Sequence, residues 1–139
     1  MGKTVADIMT TELIVLQEED NLAALEPEME AFGLRHLPVL DGDKLVGLIS
    51  HRDVLRLATS RLSADPVHAS IDRQTAETFV AAVMQTEVLT IGPDSPVSDA
   101  ARIMVDRKIG CLPVVAADGK LLGIVTEHDL LREIVREAS

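Results

Sequence analysis

The sequence predicts an α/β fold made of two β-α-β-β-α repeats packed against each other. Three observations carry that expectation. The chain repeats itself: Met9-Thr10-Thr11-Glu12-Leu13 recurs 75 positions on as Met84-Gln85-Thr86-Glu87-Val88, and Leu37-Pro38-Val39 recurs at the same offset as Leu112-Pro113-Val114. Its apolar residues change period within each copy, from short continuous runs to helical spacing and back. And 47% of its 139 residues are apolar, enough for a true core, although a copy of roughly 50 residues is too small to bury one comfortably alone.

The elements follow in the same order in both copies. A helical lead-in (Val5 to Met9; Ala76 to Met84) precedes an apolar stretch of strand length (Leu13 to Leu16; Val88 to Ile91). A helix comes next, with Leu22, Leu25, Met29 and Phe32 on one face in the first copy and Val97, Ala100, Ala101, Met104 and Val105 in the second. Ser95 and Pro96 are suited to the N-cap and first turn of the second of these helices. Pro27 lies inside the first, where it removes a backbone donor and should kink or open the helix.

Two hairpins are expected, Leu37 to Leu40 with Leu45 to Ile49 and Leu112 to Val115 with Leu121 to Val125. After the first turn the repeat offset slips from 75 to 76, so the extra residue falls between Asp41-Gly42-Asp43 and Ala117-Asp118-Gly119, where a turn can absorb it. A last helix closes each copy, from about His51 to Leu62 and from Glu127 to Glu137. The organisation is thus repeat 1 over residues 4–62, a polar connection over 63–75, and repeat 2 over 76–137. Gly47 and Gly123 stand inside strands, where they permit a close backbone approach.

Composition narrows the function. With 13 Lys and Arg against 23 Asp and Glu the net charge is −10, which repels nucleic-acid phosphates. Phe32 and Phe79 are the only aromatic residues, so no stacking platform for single strands exists. The single cysteine, Cys111, can form neither an internal disulfide nor a multi-thiolate metal site. No signal-peptide core or membrane-length apolar run occurs. A cytoplasmic protein with neither nucleic-acid nor membrane partners is the expectation.

Ser50-x-x-Asp53 and Thr126-x-x-Asp129 each begin a helix directly after a strand. One reading is a capping box, with hydroxyl and carboxylate satisfying the first amides. The other is a ligand site, with helix amides and dipole attracting phosphate and the Asp accepting a ribose diol. His51, Arg52 and His128 in the same helix starts are either solvated or possible phosphate contacts. Glu127, His128 and Asp129 are consecutive and point about 100° apart, so they cannot converge on one metal. There is no nucleophile elbow, P-loop or dinucleotide fingerprint, and neither an enzyme nor a catalytic cofactor is expected.

Two ordered sets of Met-[Thr/Gln], strand, helix, Leu-Pro-Val, turn, Gly-h-h-[Ser/Thr]-x-x-Asp resemble tandem cystathionine-β-synthase (CBS) domains, the pair known as a Bateman module, here of the stand-alone type. The resemblance covers about Thr4 to Arg136. It implies a pseudo-two-fold arrangement with two clefts for adenosyl ligands such as AMP, ADP, ATP, NAD or S-adenosylmethionine, each cleft mixing the two repeats. Carried over, one cleft holds Leu13, Ile14, Leu34, Arg35 and His36 with Thr126 and Asp129. The other holds Val88, Leu89, Ile109, Gly110 and Cys111 with Ser50 and Asp53. Relatives place basic residues before Leu-Pro-Val for phosphate, a pattern Arg35 and His36 fit and Gly110 and Cys111 do not, so the clefts should be unequal. The resemblance also implies a homodimer and, with no effector domain in the sequence, an effector protein reached in trans. The competing expectation is a structural or oligomerisation module with vestigial clefts.

Overall fold

The structure is a computed structural model that describes residues 2–20, 36–50, 80–82 and 84–138. The first copy's long helix with Pro27, its closing helix over 51–62 and the connection over 63–75 lie outside the described residues. The chain divides into two compact units, one of Met1–Leu13, Asp43–Leu45 and Leu89–Ser139, the other of Ile14–Gly42 and Val46–Val88. Each unit therefore joins the body of one copy to the lead-in of the other.

In the first unit, helix α1 (Val5–Ile8) opens with Asp7 accepting from the Thr4 amide at 2.8 Å and from the Thr4 hydroxyl at 3.2 Å. Its Val5 is fully buried in a cluster with Ile91, Ala100, Met104, Leu112, Val114 and Val125, all from the second copy. Downstream, Thr10 pairs with Ile124 in an antiparallel bridge, each amide donating to the other's carbonyl at 2.8 and 2.9 Å. A Cβ on Gly123 would lie 2.8 Å from both the Met9 sulfur and the Thr10 carbonyl oxygen, so only glycine admits the lead-in here. The close approach expected of this residue is present.

Helix α2 (Val97–Arg107) starts one residue later than the sequence predicts. Pro96 bridges Thr4, while the Ser95 carbonyl accepts from Val5 N–H at 2.8 Å, and this pairing holds Pro96 at ψ 148°, outside the helix. Pro96, not Ser95, is the N-cap, and no side chain caps it. Ala100 and Met104 face the core as expected, but Val105 is 74% exposed. The helix ends at Lys108 in the left-handed conformation (φ 56°), its amide donating to the Met104 carbonyl.

Strands β4 (Cys111–Val115) and β5 (Leu121–Thr126) form the second hairpin, antiparallel, with Cys111 opposite Thr126. Residues 116–120 join the two strands, with Gly119 at φ 90° in the turn, and the register shifts between Val114 and Val115. The strand expected over Val88 to Ile91 shrinks to one parallel bridge, Ile91 to Val114. That bridge asks for the Ile91 and Val115 amides and the Pro113 and Ile91 carbonyls, so the missing Pro113 donor is not required. Helix α3 (Glu127–Ala138) follows β5 without a break and packs on α1 and α2. Its buried Glu133 is compensated by Lys3 Nζ at 2.6 Å, although neither carboxylate oxygen receives a well-directed hydrogen bond.

The second unit repeats this logic. Strand β2 (His36–Asp41) lies between β1 (Leu16–Gln17) and β3 (Lys44–Ser50) in a three-stranded sheet, with β1 parallel to β2. The expected strand over Leu13 to Leu16 is thus displaced and shortened. Leu13 ends one unit and Ile14 begins the other. Beyond Gln17 the chain turns, with Asp20 accepting from the Gln17 amide at 2.9 Å. Val80, in a 3-10 turn over Val80–Ala82, is fully buried with Leu16, Leu37, Val39 and Ile49, as Val5 is in the other unit. Gln85 bridges Leu48, and a Cβ on Gly47 would run into Met84 and approach the Gln85 carbonyl to 3.0 Å.

Two substitutions test the packing. Gly123→Ala should lower stability by about 1–3 kcal/mol in urea denaturation, since a backbone oxygen must move to admit the methyl. Gly92→Ala, whose Cβ would come no nearer than 3.8 Å to any neighbour, should be close to neutral by the same assay.

Candidate functional site

The junction of β5 and α3 gathers the polar groups that the sequence singles out in the second copy. The Thr126 amide and hydroxyl donate to Asp129 Oδ2 at 2.9 and 3.1 Å, and the Asp129 amide donates to Thr126 Oγ1 at 3.2 Å. The capping box is therefore formed. It does not account for the whole arrangement, because Asp129 is only 3% exposed and its carboxylate takes two further donors. The Thr10 hydroxyl reaches it at 3.2 Å from Oδ1 and 3.4 Å from Oδ2, and Arg132 Nη2 lies 3.3 Å from Oδ1. A buried carboxylate needs such company, since desolvating it unpaired costs several kcal/mol.

Thr10 was not among the site residues expected from sequence, and neither was Arg132. Thr10 carries a signal in the repeated Met-Thr/Met-Gln pair, but its partner lies 119 positions away and is reached only because α1 docks on the second copy.

Along the opposite strand, Gly110 and Cys111 stand beside the same helix start. The Gly110 carbonyl accepts from Glu127 N–H at 3.0 Å, and a Cβ on Gly110 would lie 3.1 Å from Glu127 Oε1. Cys111 is buried, and burial, reinforced by the Glu127 carboxylate, pushes its thiol up from 9.0 to about 11. It behaves as a small apolar residue, as its position implies. Ile109 packs against the apolar cluster, Leu89 is exposed, and His128 is exposed on the first turn of α3.

The other expected site residues belong to the second unit or fall outside the described residues. Ile14 packs against the Leu16 and Leu37 cluster, and Leu13 and Val88 are half-buried. His36 begins β2 and Ser50 ends β3. Leu34, Arg35, His51, Arg52 and Asp53 lie outside the described residues. Among the described residues no group of His, Cys, Asp and Glu is placed to hold a metal ion, and no helix is long and apolar enough to cross a membrane.

Two compact units with exchanged lead-ins, and a buried carboxylate at the helix start that follows β5, mark a paired-repeat architecture. Residues 5–60 and 80–136 each match the CBS domain, and the chain belongs to the CBS domain family as a pair of repeats. CBSX2, a protein of Arabidopsis thaliana, solved in complex with AMP, is 30% identical with a TM-score of 0.83, covering 99% of this chain and 100% of that one. A CBS domain-containing protein of Dictyostelium discoideum is 32% identical over 141 residues, 98% of this chain and 94% of its own length. An uncharacterized protein of Methanocaldococcus jannaschii is 29% identical over 131 residues, 94% of this chain, which spans 47% of that protein.

Asp129→Ala should cost about 1–3 kcal/mol in urea denaturation, through the lost cap and the orphaned Thr10 and Arg132 donors. The raised Cys111 pKa has its own signature. The unfolded thiol ionises near pH 9 while the folded one holds its proton to about pH 11, so this contribution is complete below pH 9 and fades as pH rises towards 11. Cys111→Ala should flatten that part of the stability profile, and wild-type Cys111 should react with a thiol reagent at pH 8 far more slowly than when unfolded.

Proposed function

We propose that this chain is a regulatory module that binds an adenosyl ligand through its two [Ser/Thr]-x-x-Asp helix starts and passes occupancy to a partner protein. AMP, ADP and ATP are the leading ligands, with NAD and S-adenosylmethionine as the further candidates. One observation supports the reading above the rest: the repeat carries two complete motif sets, and a relative solved with AMP is similar over the entire chain. Each ligand would contact both repeats, one taking Leu13, Ile14, Leu34, Arg35 and His36 with Thr126 and Asp129. The other would take Val88, Leu89, Ile109, Gly110 and Cys111 with Ser50 and Asp53. With Phe32 and Phe79 the only aromatic residues, the adenine would be held by aliphatic side chains.

The Asp129 carboxylate suggests how binding is transmitted. Its Thr126 and Arg132 donors lie three residues to either side of it, whereas Thr10 comes from 119 positions away. A ribose diol offers two hydroxyl donors of the same kind as Thr10. Exchange of Thr10 for ribose would couple occupancy to the seating of the lead-in. The ligand can shift that equilibrium only by its difference in affinity for the two arrangements.

A homodimer is part of the proposal. Val105 on α2 and Leu131, Ile134 and Val135 on α3 are exposed apolar residues on two helices packed together, and residues 131, 134 and 135 fall at helical spacing. Purely structural duty is the second reading, favoured by the same exposed strip and by a carboxylate already supplied with donors.

A thermal-shift panel with AMP, ADP, ATP, NAD and S-adenosylmethionine separates the readings. At 100 times its Kd a ligand stabilises by about 2.7 kcal/mol, a shift of several degrees for a domain of this size. No shift with any of the five would leave the structural reading. In sedimentation equilibrium the wild type should be a dimer and Ile134→Glu a monomer at the same concentration.

A further inference from the structure

Two buried carboxylates lie one turn apart on the same face of α3, and the lead-in meets both. Asp129 accepts from the Thr10 hydroxyl at 3.2 Å, and Glu133 pairs with Lys3 Nζ at 2.6 Å. The Lys3 backbone is held as well, its carbonyl accepting from Val97 N–H at 3.2 Å. All of these residues belong to one compact unit. The two contacts differ in what their loss leaves behind. Without Thr10, Asp129 keeps its Thr126 and Arg132 donors. Without Lys3, the Glu133 oxygens have no hydrogen-bond partner among the described residues, and Arg136 Nη1 stands 4.0 Å away. A buried carboxylate is tolerated only with a partner that offsets its desolvation, and the close partner of Glu133 is on the lead-in.

We propose that the Lys3–Glu133 pair is an autoinhibitory latch. It seats the lead-in so that the Thr10 hydroxyl occupies Asp129, and it gives way when a ligand takes that carboxylate. The proposal rests on the adenosyl reading above and assigns the regulation of binding at Asp129. Lys3 and Glu133 are positioning residues, since both act through Thr10. A ligand that binds only when the lead-in is lifted has its apparent affinity lowered by the fraction of molecules in that state. Weakening the latch raises the fraction, so a variant that loses stability gains affinity. A contact that merely held the fold together would change affinity in the opposite direction or not at all. The Lys3 side chain is half exposed, so water compensates part of the lost pair. The expected change in the lifting equilibrium is therefore about tenfold, less than a fully buried pair would give.

The test combines amide hydrogen exchange of the full chain with calorimetric titration of AMP, ADP, ATP, NAD and S-adenosylmethionine. The variants are Lys3→Met, Thr10→Val and their double, beside the wild type. Glu133→Gln is a second lesion of the latch that leaves no buried charge behind and so spares folding. In Lys3→Met the Thr10 and Ile124 amides, which bridge the lead-in to β5, should exchange about tenfold faster, while amides paired within the β4 and β5 hairpin keep their rates. The same variant should bind its ligand about tenfold more tightly. Glu133→Gln should move both readings in the same direction by less. Thr10→Val should itself tighten binding, and adding Lys3→Met to it should gain little, because both changes relieve one competition. Unchanged exchange at Thr10 and Ile124 overturns the latch. Faster exchange with affinity unmoved or weakened overturns autoinhibition and leaves the adenosyl reading intact, as does equal tightening by Lys3→Met with and without the Thr10 hydroxyl. Binding of none of the five ligands to any variant overturns both.

Discussion

Each lead-in lies against a glycine of the other copy's hairpin, and the rest of the structure depends on that approach. Met9 and Thr10 cross β5 at Gly123, and Met84 and Gln85 cross β3 at Gly47, with no room for a side chain at either glycine. The crossing places Val5 in the second copy's core and Val80 in the first's, both fully buried. A repeat too small to bury its own apolar face is completed by a piece of its sibling. The exchange is reciprocal, so neither unit can lose its borrowed lead-in without exposing the same kind of surface.

The same crossing brings chemistry with it. The Thr10–Ile124 bridge sets the Thr10 hydroxyl against Asp129, and Lys3, just upstream, reaches Glu133 on the same helix. The N-terminal segment thus supplies a donor to one buried carboxylate of α3 and a cation to the other. A molecule that competes for Asp129 acts on the seating of the lead-in, which makes the helix start a natural point for a binding event to be felt elsewhere.

Much of this plan was legible in the sequence because it rests on local signals repeated twice. The hairpins, their one-residue slip and the roles of Gly47 and Gly123 all follow from motif and spacing. What escaped is tertiary. Ser95 looks like a cap, but pairing with Thr4 and Val5 holds Pro96 extended and takes the role from it. Leu13 and Val88 look like strand residues, yet each ends one of the two units, and pairing begins only at Leu16 and Ile91. Val105 fits the apolar period of its helix and is nevertheless exposed. Thr10 could not be matched with Asp129, because nothing in the spacing of one copy shows that its lead-in belongs to the other.

Residue-resolved NMR during an AMP titration tests most directly whether the Thr126–Asp129 helix start is a ligand site joined to the lead-in. The expected result is saturable amide shifts, with one common Kd, concentrated at Thr126 and Asp129 and extending to Thr10 and Ile124. Shifts that do not saturate, or that leave Thr10, Thr126 and Asp129 unmoved, would contradict it.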